Sequence, residues 1–455
     1  MTQRRTVHLL TLGCARNETD SDELAARLAN AGWELVDDVE AAEAVLVNTC
    51  GFVESAKQES IEALQSAAEL KSTGTTKAVV AVGCLAERYG SELASALPEA
   101  DGVLGFDRYE EIGDLLAQVV GGKKVASHEP QDRRLLAARA PIERANARGA
   151  SSGEVLRLRL DSKPYAPLKI ASGCDRRCSF CAIPRFRGAY QSRRPTDIIA
   201  EAVWLAERGV KELFLVSENT TSYGKDLGEL RLLESVLPAL AGIDGIERVR
   251  LSYLQPAEFR PTLLEAIAET DKVVPYFDLS FQHCSSQVLR RMRRFGGSDE
   301  FLKLVGNIRE ALPEAGIRSN FIVGFPGETD ADVEELCDFI SAANLDVVGL
   351  FGYSDEDQTE AETFTDKIDP EEVRRRVEYV TSIADEVVTQ RAEDRIGSFA
   401  TVLVESTGPV EGRTEFQGPE VDGTTTVEGV TAAVGDLLAV EIIASDGADL
   451  VARVR

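Results

Sequence analysis

Gly173-Cys174-Asp175-Arg176-Arg177-Cys178-Ser179-Phe180-Cys181 places three cysteines in the pattern C-x3-C-x2-C. The apolar run Pro167–Ala171 stands directly before it and predicts a strand, so the thiols fall on the loop at that strand's C-terminal end. Three thiolates this close in sequence can wrap one face of a compact inorganic centre. A structural zinc knuckle is the plain alternative, but structural zinc takes four protein ligands, and no fourth Cys or His lies nearby. Three ligands suit a four-iron four-sulfur cluster with one iron left open.

Outward from this loop, residues 164–394 alternate apolar strands with amphipathic helices. The strands are expected at Pro167–Ala171, Glu212–Val216, Val249–Tyr253, Phe277–Phe281, Arg318–Val323 and Val347–Phe351. Six strand–helix units predict a partial (β/α)6 barrel, open on one side, with reactive groups at the C-terminal strand ends. Residues 1–120 alternate in the same way and predict a doubly wound parallel α/β domain. Cys14, Cys50 and Cys84 each follow one of its predicted strands. Strand C-termini of an open parallel sheet share one edge, where ligands bind. Three cysteines far apart in sequence are therefore expected to meet as a second three-thiolate centre; the alternative is three inert, buried thiols. Cys337 sits in a helical pattern and reads as core. Cys284 follows Gln282 and His283 at a strand end and is a candidate for the cavity wall, while His8 and His128 lack functional context.

Residues 121–163 hold ten Lys/Arg and five Asp/Glu and read as a solvated basic linker or loop. Residues 395–455 carry short strands between Gly-rich turns and predict a small antiparallel β-barrel. The whole chain has 455 residues, 50 Lys+Arg and 77 Asp+Glu, a formal charge of −27. A protein gripping nucleic acid through its phosphates should be basic, so nucleic acid is not expected as substrate. Residues 397–455 hold three Lys/Arg against ten Asp/Glu; Glu411, Glu415, Glu420 and Asp422 are expected to face a basic partner. No run of 18 apolar residues and no signal-like start occur. A cytoplasmic protein away from membranes is expected, its eight cysteines serving as ligands rather than disulfides.

The central triad resembles that of the radical S-adenosylmethionine (SAM) superfamily. The resemblance implies that the open iron binds the amino and carboxylate groups of SAM, and that an electron from the cluster yields a 5′-deoxyadenosyl radical. Asn320-Phe321-Ile322-Val323-Gly324-Phe325-Pro326-Gly327-Glu328 resembles the superfamily's adenine-contacting segment, which implies cofactor contacts at Ile322, Gly324, Gly327 and Glu328. Two triads in this order, with a small C-terminal β domain, resemble the methylthiotransferases, which combine an N-terminal cluster domain, a radical SAM core and a TRAM domain. The resemblance covers almost the whole chain except the 121–163 linker and divides it at 1–120, 164–394 and 395–455. The Cys14-Ala15-Arg16-Asn17, Cys50-Gly51-Phe52, Tyr276-Phe277-Asp278 and Pro419-Glu420-Val421-Asp422-Gly423 segments look like the RimO-type, protein-modifying branch.

That branch implies two 4Fe-4S clusters, on Cys14, Cys50 and Cys84 and on Cys174, Cys178 and Cys181. It implies SAM, an electron donor, and transfer of a methylthio group to the β-carbon of an aspartate in the basic small-subunit ribosomal protein numbered twelve. No general acid or base is assigned. Ala171-Ser172, Ser217-Glu218-Asn219 and Cys284 depart from the common family pattern, and none of these positions is a cluster ligand. The tRNA adenosine methylthiotransferase (MiaB-type) branch is the first alternative, with Arg185, Arg187, Arg193 and Arg194 as candidate phosphate contacts. A non-enzymatic iron–sulfur scaffold is the second.

Overall fold

A computed structural model describes residues 5–136, 155–419 and 421–455. The chain forms two compact units. The first extends to Ser162 and takes in Ser172–Asp175 and Ala182–Tyr190; the second holds Lys163–Ala171, Arg176–Cys181 and Gln191–Arg455.

The first unit is built on a five-stranded parallel sheet. Its order is Glu34–Leu35, Thr6–Thr11, Ala44–Thr49, Ala78–Val82, Gly102–Val103. The Ala44–Thr49 and Ala78–Val82 strands are buried throughout, which explains their unbroken apolar runs: both faces are covered. Ala44, Leu46 and Val80 pack under the helices Ala15–Asn30 and Ile112–Val120. Val45, Val47 and Val79 pack on the other side under Leu64, Leu85 and Leu93 of the helices Glu54–Thr73 and Gly83–Ala96.

The helix after Cys14 begins at Ala15, because Asn17, Thr19, Asp20 and Asp22 in its first turns are buried rather than solvated. The basic linker is corrected, since its described ends pack on the first unit. His128 N–H extends the sheet edge by bonding Val103 O at 2.9 Å. Arg133 pairs with Glu87 at 2.5 Å and Asp107 at 2.6 Å, and Arg157 pairs with Asp22 at 2.8 Å. These cations have carboxylate partners already waiting, so a net charge of one sign did not mean a solvated segment. Residues 137–154 lie outside the described residues.

In the second unit, six parallel strands follow one another around a partial barrel. Tyr165–Lys169, Glu212–Val216 and Arg248–Leu251 form one sheet, and Tyr276–Gln282, Gly316–Val323 and Val347–Gly352 form another. Leu254 bridges them, donating to Asp278 O at 2.8 Å and accepting from Ser280 N–H at 2.9 Å. Phe281, Phe301, Phe321 and Phe339 stack between strands and helices as its core.

The C-terminal residues close a five-stranded barrel in the order Phe399–Thr407, Val410–Arg413, Thr425–Glu428, Asp449–Val454, Leu437–Asp446. Two features differ from the expected antiparallel barrel. Val410–Arg413 is an additional strand, too short and too polar to show alternation, and Thr425–Glu428 pairs in parallel with Asp449–Val454.

Buried ion pairs join the two barrels of this unit. The fully buried Glu212 carboxylate meets Arg250 at 2.8 Å, Arg413 at 3.1 Å and Arg248 at 3.8 Å. Burial works to raise its pKa, but the three guanidinium groups outweigh it and hold Glu212 well below the usual carboxylate range. Asp422 is buried too. It pairs with Arg318 at 2.9 Å and accepts from Tyr276 Oη at 2.5 Å. Glu415 accepts the Thr401 N–H at 2.9 Å. Asp422 and Glu415 therefore serve the barrel's interior contacts, which corrects the expectation that both face a partner; Glu420 lies outside the described residues. Among the described residues, no helix is long and apolar enough to cross a membrane.

Candidate iron–sulfur and SAM sites

In the first unit, Cys14, Cys50 and Cys84 follow three neighbouring parallel strands. Gly13 lets the chain pass against Cys50: at φ +92°, a Cβ there would stand 2.8 Å from Cys50 Cβ and 2.9 Å from its Sγ. The three thiols are near enough to act on one another electrostatically. Burial raises Cys50 and pushes Cys84 up to about 12. Burial acts on Cys14 in the same sense, but Arg16 and Arg187 outweigh it and hold that thiol below an ordinary cysteine.

The surroundings of these thiols are cationic and fixed. Arg187 Nη2 lies 3.1 Å from Cys84 Sγ, 2.9 Å from Asn17 Oδ1 and 3.1 Å from Asp20 Oδ2. The Cys84 thiol also faces Asn17 Oδ1 at 3.6 Å. Asn17 Nδ2 donates to Leu12 O and Thr49 O at 2.9 and 3.2 Å, so one side chain ties two of the cysteine-bearing strand ends. Among the described residues, no three His, Cys, Asp or Glu side chains converge as ligands of one metal ion. Soft thiolates at one sheet edge, with cations beside them, fit a cluster that spreads its ligands over several irons.

The cysteines of the central triad are held by local contacts in the unit to which each belongs. Cys174 belongs to the first, where its N–H bonds Gly188 O at 3.1 Å, just after the short helix Ile183–Arg187 that carries Arg187. Cys178 and Cys181 belong to the second. Cys181 N–H bonds Cys178 O at 3.2 Å, which closes a tight turn. Ser179 anchors that turn through its N–H to Met292 O at 3.1 Å and its Oγ to Arg291 O at 2.8 Å. Arg294 Nη1 stands 3.6 Å from Cys178 Sγ and is itself held by Gln255 Oε1 at 2.7 Å.

The Gly324–Glu328 turn lies beside this loop. Phe180, between Cys178 and Cys181, packs edge-on against Phe325 with ring centroids 6.5 Å apart. Ile322 joins the same apolar cluster. Arg291 donates to Pro326 O at 2.8 Å and pairs with Asp366 at 2.7 Å. Gly327 has φ +80°, and a Cβ there would meet Asp366 Oδ2 at 2.7 Å and Arg291 Cζ at 2.8 Å. Glu328 is buried, and its carboxylate accepts the Gly324 N–H at 2.9 Å, pairs with Arg376 at 3.0 Å and faces His283 Nε2 at 3.3 Å. It holds the turn's shape.

Cys284 and Cys337 are both buried. Burial pushes the Cys284 thiol up to about 12. Arg187, Arg16, Asn17 and Arg294 complete the sites without having been singled out as their parts. The only sequence signal for them is the polar Arg16-Asn17 pair at the start of a helix, since Arg187 stands 103 positions from Cys84.

Three family models match the chain: the radical SAM superfamily over residues 168–340, the uncharacterized protein family UPF0004 over residues 6–105, and the TRAM domain over residues 396–454. The ribosomal protein uS12 methylthiotransferase RimO of Kineococcus radiotolerans is 58% identical, over 99% of this chain and 97% of that protein. The protein of the same name from Streptomyces coelicolor is 56% identical, over 100% of this chain and 97% of its own length. Among solved structures, the radical SAM methyltransferase TsrM of Kitasatospora setae matches with a TM-score of 0.53 at 15% identity, over 76% of this chain and 73% of that one. At that identity the likeness speaks for the fold alone.

Proposed function

Because the chain belongs to the RimO family of ribosomal protein uS12 methylthiotransferases, we propose that it transfers a methylthio group to the β-carbon of an aspartate of uS12. Membership in the radical SAM superfamily brings SAM and one 4Fe-4S cluster with it. We assign that cluster to Cys174, Cys178 and Cys181, and a second to Cys14, Cys50 and Cys84. What supports the second assignment is the position of three thiols after three neighbouring parallel strands, with Arg187 on Cys84 and Asn17 tying two of those strand ends. When bound, the two clusters and SAM supply the radical and sulfur chemistry.

The chain's own residues bind and orient. Ser179 and Arg291 fix the Cys178–Cys181 turn, and Phe180 on Phe325 sets its distance from the Gly324–Glu328 turn. Glu328 and Arg376 hold that turn's shape. The reductant is a one-electron donor, and the site of action is the cytoplasm, where ribosomal proteins are found. Two of the four candidate phosphate contacts of the tRNA reading are engaged within the protein: Arg187 faces Cys84, and Arg193 pairs with Glu201 at 2.6 Å.

Two triple variants test the assignment. A chain with two intact clusters should hold about eight irons, and either triple Cys→Ala variant about four. Changing Cys174, Cys178 and Cys181 should abolish reductive SAM cleavage. Changing Cys14, Cys50 and Cys84 should preserve it while ending methylthio transfer to uS12. An N-terminal triple variant that still holds about eight irons overturns the second assignment, and modification of tRNA in place of uS12 overturns the substrate.

A further inference from the structure

We propose that Arg187 sets the redox poise of the centre held by Cys14, Cys50 and Cys84, acting as a positioning residue through its contact with Cys84. This inference rests on the reading that those three cysteines hold a cluster.

The guanidinium is fixed from several directions. Nη2 reaches Cys84 Sγ, Asn17 Oδ1 and Asp20 Oδ2 within 2.9–3.1 Å. Its plane lies over the Phe106 ring, 5.2 Å from the centroid, with Arg133 on the same ring at 5.5 Å. The side chain is only 6% exposed. A buried cation so placed has little water around it to screen its field. Its position is also prescribed by covalent neighbours. Arg187 ends the helix Ile183–Arg187, and the next residue, Gly188, accepts the Cys174 N–H. One short segment thus anchors the first cysteine of the central triad and places a cation on the other thiol set.

The physical consequence concerns electron count. One-electron reduction adds a negative charge to a cluster and its thiolates. An N–H donor and a full positive charge at a ligand sulfur favour the more negative state, and so raise the reduction potential. Asp20 meets the same Nη2 and offsets part of the charge, while Cys84 Sγ stays within 3.1 Å of that nitrogen. The competing view is that Arg187 merely locks the Ala15–Asn30 helix through Asp20.

The test uses the full chain carrying Cys174→Ala, Cys178→Ala and Cys181→Ala, so that only the N-terminal centre contributes to the spectrum. Arg187→Gln and Arg187→Lys are added separately. Each protein is reconstituted, its iron counted, and its electron paramagnetic resonance signal followed during titration with dithionite and mediators. At the parent's midpoint, the ratio of reduced to oxidised centre should fall about tenfold in Arg187→Gln, the equivalent of one charge-assisted hydrogen bond. Arg187→Lys should fall less, because it keeps the charge and loses the fork. An Arg187→Gln protein with full iron and an unchanged ratio overturns the proposal. So does equal loss of iron in both variants, which marks a structural role. Loss of iron in Arg187→Gln with retention in Arg187→Lys supports the role of the charge. A parent without iron overturns the second-cluster reading itself, and this inference with it.

Discussion

Glu328 stands where sequence neighbours suggest a cofactor contact, and its partners give it another task. Its carboxylate bridges the Gly324 N–H, Arg376 and His283 while almost wholly buried. Glu328→Gln keeps the shape and loses the charge, leaving Arg376 short of one buried partner. The expected cost is about 1–3 kcal/mol of stability, read from urea unfolding of the cluster-loaded protein, with the central iron retained. Gly327→Val combines a β-branched side chain with φ +80° and a clash at Asp366 and Arg291. It should weaken SAM binding without loss of iron, measured by equilibrium dialysis; unchanged affinity in a folded variant would return the turn to a purely structural role. At this scale the position of the cysteines after their strands was legible, because an apolar run followed by Cys is read from residue type and order. Arg187, Arg294 and Arg376 were not, because each meets its partner across 48 or more positions, where only the fold decides proximity.

The helix Asp330–Ala343 shows how far an element can be read from its ends. Thr329 and Asp332 form a capping box, with Asp332 N–H to Thr329 Oγ1 at 3.3 Å and Thr329 N–H to Asp332 Oδ2 at 2.8 Å. Such a cap is local, and with an apolar period behind it the sequence marks the helix start. Thr329→Ala should cost about 1 kcal/mol, visible as a lower urea midpoint. The strand Val410–Arg413 had no such signal, because its four residues owe their extended state to neighbouring strands. Glu212 shows what a tertiary contact adds to a strand. Removing its charge leaves Arg250 buried without its anion and Arg413 with Glu405 alone. Arg248, which burial pulls down to about 10, stays charged as well. Glu212→Gln should therefore cost about 3–5 kcal/mol near neutral pH. The pH dependence has a definite sign. Because the folded-state pKa of Glu212 is depressed, its contribution is complete above the unfolded value of about 4.3 and fades as pH falls below it. The gap between wild type and Glu212→Gln should be constant from about pH 8 to 5 and narrow towards pH 3. Unfolding curves at several pH values check this; a gap that widens in acid would contradict the depressed pKa.

Across the whole molecule, the charge of −27 was legible at once, but its distribution was not. Ten carboxylates in residues 397–455 suggest one acidic face. Asp422, Glu415 and Glu405 instead turn to Arg318, the Thr401 N–H and Arg413. Counting charges cannot separate carboxylates that close a barrel from those that face solvent. Glu428 and Asp446 do remain exposed, on the strands Thr425–Glu428 and Leu437–Asp446. Exposed charges facing a basic protein act mainly on the association rate and on orientation. Their reach is limited, since the Debye length is about 8 Å near physiological ionic strength. Glu428→Lys with Asp446→Lys should accordingly lower kcat/KM for uS12 about three- to tenfold at low salt, with kcat little changed. The difference should shrink as salt rises. SAM cleavage without uS12 should be unaffected, because residues 397–455 carry no cysteine and leave both cysteine triads intact. A doubly reversed variant with wild-type kcat/KM at low ionic strength would remove the small barrel from substrate docking and leave it a cap welded to the core through Glu212 and Asp422.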